Sequence, residues 1–388
     1  MSRFDNVIDR TNTNCLKHDF SSERGMPDGL IPMWVADMDF TVPDEVVEDI
    51  QRAVSHGVFG YTEPKQDYYS VVAGWFRSHF SWDVRESWIS TAPGVVFALA
   101  QAICALTEKG GGVLIMRPVY YPFTTMIEQN GRRVVNSPLI NDGGKYAIDF
   151  DDFERKIVDN DVKLFVLCSP HNPVGRVWTE AELTRVAEIC LKHGVPIVSD
   201  EIHCDFTFDG IKHTPLASLS PEIAANTVTL TAPSKTFNLA GMNTANTIIP
   251  NPELKKKYDR QVSSTGFYQN TSVGRAACKS AYAKGEPWLE ELLPYLSGSF
   301  DMMADFIREK LPRVKFRKPE GTYLAWLDFS DYAFAQDELD RIVIDKAKLW
   351  LDTGTMFGEE GKGFQRVNIA TPRCILMNAM QSLAEAFN

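Results

Sequence analysis

A hydroxyl and an amine stand side by side at Ser234 and Lys235, within the stretch Thr229-Leu230-Thr231-Ala232-Pro233-Ser234-Lys235-Thr236-Phe237-Asn238-Leu239-Ala240-Gly241. The preceding run, Thr227 to Leu230, reads as a short buried strand that presents both groups on the loop at its end. An amine so placed can form a Schiff base with a carbonyl cofactor, and the hydroxyl beside it can hold a phosphate. An isolated lysine is ordinarily a solvated surface charge, so the reading depends on partners elsewhere. Gly94-Val95-Val96, Tyr120, Asn172 and Asp200 supply them, each after a separate strand-like run. Taken singly, each has an ordinary structural use: Asp200 as a cap, Asn172 as an Asx turn before Pro173, Tyr120 as core. Together they are what pyridoxal phosphate demands. Lys235 takes the carbonyl, and Asp200 faces the pyridinium nitrogen so that the ring withdraws electrons. Asn172 bonds the ring oxygen and Tyr120 stacks on the ring, while Gly94, Val95, Val96 and Ser234 surround the phosphate.

These residues need a scaffold that brings strand ends together, and the chain's periodicity supplies one. Strands are predicted at Trp88-Thr91, Gly112-Met116, Leu164-Leu167, Pro196-Ser199 and Thr227-Leu230, with helices between them. The first helix covers Val95 to Leu106. Another ends at Asn130-Gly131, and a third opens with the capping box Thr179-Glu180-Ala181-Glu182 and runs to about His193. This alternation implies an α/β fold: a mostly parallel sheet with helices on both faces, and ligands at the carboxyl ends of its strands. After Gly266 the pattern turns to long helices, Ser272 to Lys284 and Pro287 to Leu311. A strand Thr322-Leu327, a helix Gln336-Lys348, a strand Arg366-Ile369 and a closing helix then follow. We expect a large cofactor-binding domain over 46–285 and a smaller α+β domain built from 1–45 and 286–388. Within the first 45 residues, Ile31 to Asp39 is the one extended apolar piece, either an edge strand or a segment laid over the substrate.

Composition narrows the function classes. A net charge of -11, offset by no basic cluster larger than Lys255-Lys256-Lys257, which reads as a solvated helix face, argues against a nucleic-acid surface. Seven cysteines without a Cys-x-x-Cys pair suit a reducing compartment and offer neither a zinc site nor a disulfide framework. The polar start, Met1 to Arg10, is unlike a signal peptide. No apolar run approaches the ~18 residues of a membrane span. A cytoplasmic protein that binds neither membrane nor metal is expected.

Longer motifs carry a resemblance. Cys168-Ser169-Pro170-His171-Asn172-Pro173-Val174-Gly175-Arg176-Val177-Trp178, Ser199-Asp200-Glu201-Ile202-His203 and Ala232-Pro233-Ser234-Lys235-Thr236-Phe237-Asn238 resemble the class I/II aminotransferase superfamily of pyridoxal-phosphate fold type I. Within it the chain is most similar to the MalY/PatB branch of cystathionine β-lyases. Val35-Phe40, Phe59-Thr62, Pro319-Trp326 and Thr371-Arg373 extend the likeness over nearly the whole chain. The resemblance implies that Lys235 is the Schiff-base lysine and the base at Cα, with Asp200 and Tyr120 also catalytic. It implies that Tyr61 reaches the phosphate of a second subunit, hence a homodimer with shared sites. Arg373 would take the substrate α-carboxylate as a bidentate pair, with Ala36 also at the substrate. His203 stands where many relatives have tyrosine, as is usual in this branch, and is expected beside the cofactor. Asn243 replaces a phosphate-binding arginine, which leaves N–H groups, a helix dipole and hydroxyls to hold that anion. The implied reaction is β-elimination from a sulfur amino acid. An aminotransferase is the alternative on the same chemistry, and a non-catalytic regulator on this fold is the alternative outside it.

Overall fold

Alternating side chains build the central sheet and decide which face each helix covers. In the computed structural model, which describes residues 2–387, a 7-stranded sheet runs in the order Ile89–Ala92, Ala245–Ile248, Thr227–Thr231, Ile197–Asp200, Val162–Cys168, Gly112–Ile115, Arg133–Asn136. Neighbours are parallel except where Ala245–Ile248 runs antiparallel to the strands on either side. Leu114, Phe165, Leu167 and Ile197 pack on one face against Phe153, Leu183 and Val186 of the helices Phe150–Asp159 and Glu180–Lys192. Val113, Ile115, Leu164, Val166 and Val198 pack on the other against Ala98, Leu99 and Ile103 of Val95–Leu106. This is the period-two pattern of a sheet buried on both sides, and the sheet is the α/β core expected from the alternation.

Two strands of this sheet are absent from the sequence reading, the edge strand Arg133–Asn136 and the strand Ala245–Ile248. The latter lies inside the sheet although it carries Asn246 and Thr247. Both are satisfied in place, Asn246 Oδ1 by the Tyr68 hydroxyl at 2.8 Å and Thr247 by the Tyr258 hydroxyl at 3.0 Å. The connection from Thr231 contains only a short α turn and a 3-10 turn. A parallel partner would need a full crossover, so the strand returns antiparallel.

A second, 4-stranded antiparallel sheet joins Lys315–Phe316, Leu324–Asp328, Phe364–Asn368 and Asp352–Thr353. The long helix Glu286–Lys310 and the closing helix Arg373–Phe387 share one core with Phe4, Met33, Met38 and Phe40 from the chain's start. Ile31–Pro32 pairs with Leu349–Trp350, so this piece is a strand at one end. From Trp34 onward it is laid across the edge of the large sheet. No helix among the described residues is long and apolar enough to cross a membrane.

Side chains from three directions fasten that crossing segment. The carbonyl of Ala36 accepts from Lys235 Nζ at 2.5 Å and from the Tyr323 hydroxyl at 2.9 Å. Asn368 Nδ2 donates to the carbonyls of Val35 and Asp37, both at 2.6 Å. Asn238 donates to the carbonyls of Met38 and Phe40 at 3.0 and 2.9 Å and accepts from the Met38 N–H at 2.9 Å. Asp39 then ties the segment to the extreme N-terminus. It meets Lys17 at 2.7 Å, Arg10 at 2.9 Å and His18 at 3.5 Å.

Burial alone would raise the Asp39 carboxyl, but Lys17, His18 and Arg10 outweigh it and hold the group well below the usual carboxylate range. A depressed folded-state value contributes stability above the unfolded carboxylate range, and that contribution is lost as pH falls through the folded value. Lys17 is only 1% exposed, so removing Asp39 leaves a buried ammonium with Asp37, 3.8 Å away, as its remaining carboxylate. Asp39→Asn should therefore cost about 3 kcal/mol or more, read as a lower urea midpoint at neutral pH. The deficit relative to wild type should shrink on acidification. An unchanged midpoint would show that the cluster is not stabilising.

Candidate active site

Strand direction decides where the chemistry gathers. Gly94, Tyr120, Asn172, Asp200 and Lys235 all lie just beyond the carboxyl ends of strands of the large sheet. With Ala36, Val95, Val96, His203 and Ser234 they line one cleft of about 170 Å³. The structure thus brings together the residues that the sequence reading singled out, apart from Tyr61 and Arg373.

Lys235 sits in the single turn Pro233–Thr236, which proline can open because its first position needs no N–H donor. Its ammonium has left water for the Ala36 carbonyl. Burial lowers its pKa, the attraction of Asp37 and Asp200 offsets this only in part, and the group is pushed down to about 8. A larger share of Lys235 is therefore neutral, and able to act as base or nucleophile, than of an ordinary lysine.

Asp200 ends its strand with one hydrogen bond to its carboxylate, from the Ile202 N–H at 3.1 Å. Burial pushes it up to about 7, helped by the charge of Glu201 and opposed by the Ile202 N–H and Lys235. A carboxylate in this condition is short of a cationic or strongly donating partner. Next to it, His203 is buried with Nδ1 unpartnered, and burial holds the imidazole well below its ordinary value, in the neutral form. The ring packs edge-on to Tyr323 at 5.6 Å.

Asn172 follows Val162–Cys168 and is buried. Its Oδ1 accepts from Arg366 Nη1 at 3.1 Å, which leaves the amide nitrogen as its side-chain donor toward the cleft. Burial raises the Tyr120 phenol far above its usual value, so it stays protonated throughout the neutral range. At the far end, Gly94 precedes the helix Val95–Leu106. A Cβ at Gly94 would meet nothing within 4 Å, and the start of the helix borders the cleft beside Ser234, Asn243 and Thr244, where its first N–H groups lack intrahelical partners.

Arg373 falls elsewhere, and Tyr61, expected at the phosphate of a second subunit, is not expected in this chain's own cleft. Tyr61 is fully exposed, in a loop with the exposed Val58 and Phe59, and does not line the cleft of its own chain. Arg373 faces the helix Glu286–Lys310. Its Nη2 donates to the Tyr295 carbonyl at 3.0 Å, its Nε to Ser299 at 3.3 Å, and its guanidinium lies 4.3 Å over the Tyr295 ring. The arginine that reaches the cleft's partners is Arg366, in the buried strand Phe364–Asn368. Besides Asn172 it bonds the Trp34 carbonyl at 2.9 Å and pairs with buried Asp352, while Nε has no partner. The sequence carried a signal for it: a charge in the middle of a buried strand is rarely placed there without a dedicated partner.

The geometry agrees with what the chain is similar to. It matches the family model described as "Aminotransferase class I and II" over residues 29–383. It is 42% identical to cystathionine beta-lyase PatB of Bacillus subtilis, covering 99% of this chain and 100% of that one. It is 32% identical to protein MalY of Escherichia coli, over 100% and 99% of the two chains. Among solved structures, cystalysin from Treponema denticola, which contains a pyridoxal 5'-phosphate cofactor, superposes with a TM-score of 0.96 at 35% identity, covering 100% of this chain and 98% of that one. A PLP-bound C-S lyase from Staphylococcus hominis superposes at 0.92 with 34% identity, over 99% and 97%. By its sequence and by its fold, this chain belongs to the class I and II aminotransferase family.

Proposed function

We propose that this protein is a pyridoxal-phosphate-dependent carbon–sulfur β-lyase that cleaves cystathionine or a related sulfur amino acid to a thiol, pyruvate and ammonia. The observation that carries the reading is the convergence of Lys235, Asp200, Asn172 and Tyr120 in one cleft, in a chain similar to PatB from end to end. The cleft fits the cofactor on its own evidence. The Asp200 carboxylate accepts a single hydrogen bond, from the Ile202 N–H, His203 Nδ1 lacks a partner, and the helix N-terminus at Gly94 has room for an anion.

Bound there, pyridoxal phosphate supplies an electron sink for the charge left at the substrate's Cα. Asp200 holds the proton of the ring nitrogen that makes the sink effective. Asn172 donates to the ring oxygen, and Tyr120 covers a ring face. The N–H groups of Val95 and Val96, with Ser234, hold the phosphate, and no arginine assists among the residues lining the cleft. Lys235 Nζ would hold the cofactor's carbonyl carbon and would serve as the base for the substrate's Cα proton. The Ala36 carbonyl orients that nitrogen. Arg366 replaces Arg373 as the group for the α-carboxylate, because its guanidinium is fixed by Asn172, Trp34 and Asp352 beside the ring site. Departure of the β-sulfur then separates elimination from transamination. A homodimer places the exposed Tyr61 at the phosphate of its partner. The cysteines among the described residues are all free, which suits the cytoplasm.

Incubated with cystathionine and no oxo-acid, the enzyme should release pyruvate, ammonia and thiol over many turnovers. A halt after one turnover, relieved by added oxo-acid, would identify an aminotransferase instead. Lys235→Ala should fold, bind pyridoxal phosphate without the link that borohydride traps, and lose turnover by a factor of about a thousand or more. A trapped adduct on another lysine would overturn the assignment. Arg366→Lys should lower kcat/KM by about a hundredfold, mostly through KM, since lysine cannot make the bidentate pair. If Arg373→Lys carried that loss and Arg366→Lys did not, the carboxylate would belong to Arg373 after all.

A further inference from the structure

Directly behind Asp200 lies a second carboxylate that the reaction does not use. Glu201 is completely buried, and its N–H continues the sheet by donating to the Leu230 carbonyl at 2.9 Å. Strand alternation turns its side chain away from the cleft, to the side of Ser199. There Oε1 accepts from the Ser199 hydroxyl at 2.8 Å and from the Leu216 N–H at 3.0 Å, and Oε2 meets His213 Nε2 at 3.0 Å. His213 is buried as well, with Nδ1 unpartnered. It borders an open hollow of about 540 Å³ on the reverse side of this segment.

We infer that Glu201 and His213 form a positioning pair for Asp200, fixing both the orientation and the charge of the carboxylate that faces the cofactor's ring nitrogen. The inference rests on the role given to Asp200 above. Orientation follows from the backbone. Asp200 is gripped between the Ser169 N–H, which donates to its carbonyl at 2.9 Å, and Glu201, whose side chain is tied at both oxygens. Charge follows from proximity. An uncompensated Glu201 anion would favour the protonated form of Asp200, which cannot hold a protonated ring nitrogen. A positive charge at position 213, 3.0 Å from Oε2, would cancel that repulsion from the far side.

Other groups around Asp200 leave this pair as one of its two adjustable charges. On the cleft side it faces Lys235, Tyr120, Cys168 and His203. Burial keeps the phenol and the thiol protonated and the His203 ring neutral, so Lys235 is the other. Around His213 stand Glu201, Asp205, His79, Lys212 and Glu180. Asp205 is itself committed to Trp75 at 3.0 Å and to Thr236, the neighbour of Lys235, at 2.6 Å.

The test measures pyridoxal phosphate affinity for the full-length apo chain as a function of pH, read by visible absorbance and tryptophan quenching. Affinity should rise as Asp200 ionises. His213→Gln leaves Glu201 uncompensated, so the midpoint should move up by about one pH unit. Glu201→Gln removes the repulsion, so the midpoint should move down. His213→Lys should restore the wild-type midpoint, and so should the double variant, which replaces one neutral pair by another. Circular dichroism confirms folding, and the double variant keeps the test intact if a single one fails to fold. Midpoints that stay together, or move in the same direction in both single variants, would overturn the pair's role. Failure of the wild type itself to bind pyridoxal phosphate would instead overturn the functional reading.

Discussion

A buried carboxylate with a single backbone donor is a poor anion, and the architecture of this site follows from placing one at Asp200. Such a group favours its neutral form unless a cation or a strong donor faces it. The parallel sheet delivers that facing group by directional necessity. Neighbouring parallel strands end on the same edge, so Asp200 and Lys235, from adjacent strands, share one cleft. Burial moves the two groups toward each other, the acid up and the base down. Groups displaced in this way are poised for proton transfer near neutrality.

The same edge would be open to water without the chain's first 45 residues. Their crossing segment is held by hydrogen bonds from Lys235, Tyr323, Asn238 and Asn368. These donors come from the lysine loop and from the small sheet, so the segment links both to the site. Backbone carbonyls facing a cleft must find donors, and here Lys235 is one of them. The catalytic amine and the covering segment are therefore coupled. When Lys235 engages a carbonyl ligand, the Ala36 carbonyl keeps Tyr323 as its remaining donor. The ion cluster at Asp39 anchors the segment further back, where loss of the Lys235 bond does not release it.

Anion recognition divides by charge. In the proposed reading the phosphate end relies on helix N–H groups and hydroxyls, with Asn243 rather than an arginine among the lining residues. In the same reading the carboxylate end concentrates its charge in Arg366, which is already paired with Asp352. A buried guanidinium with a resident carboxylate is tolerated and fixed in direction. Its unpartnered Nε is one donor available to a ligand, beside the Nη1 N–H that Asn172 does not use.

Much of this was legible in the chain itself. Strand–helix alternation determined a parallel α/β sheet, because residues buried on both faces must be apolar and crossovers must be helical. Lys235, Asp200, Asn172, Tyr120 and Gly94 were identifiable because each follows a strand, and parallel strands carry their ends to one edge. Three features were decided only by tertiary structure. The strand Ala245–Ile248 is polar, and its burial depends on Tyr68 and Tyr258, which are remote in sequence. Arg366 and Arg373 lie close together near the end of one motif. Which of them turns to the cleft depends on the strand's pleat and on the helix that begins at Arg373, and neither can be read from residue type. The pairing of Glu201 with His213 needs a loop to fold back beneath the sheet. Local sequence determines which groups can do chemistry, and long-range packing alone determines which of two like groups meets the ligand.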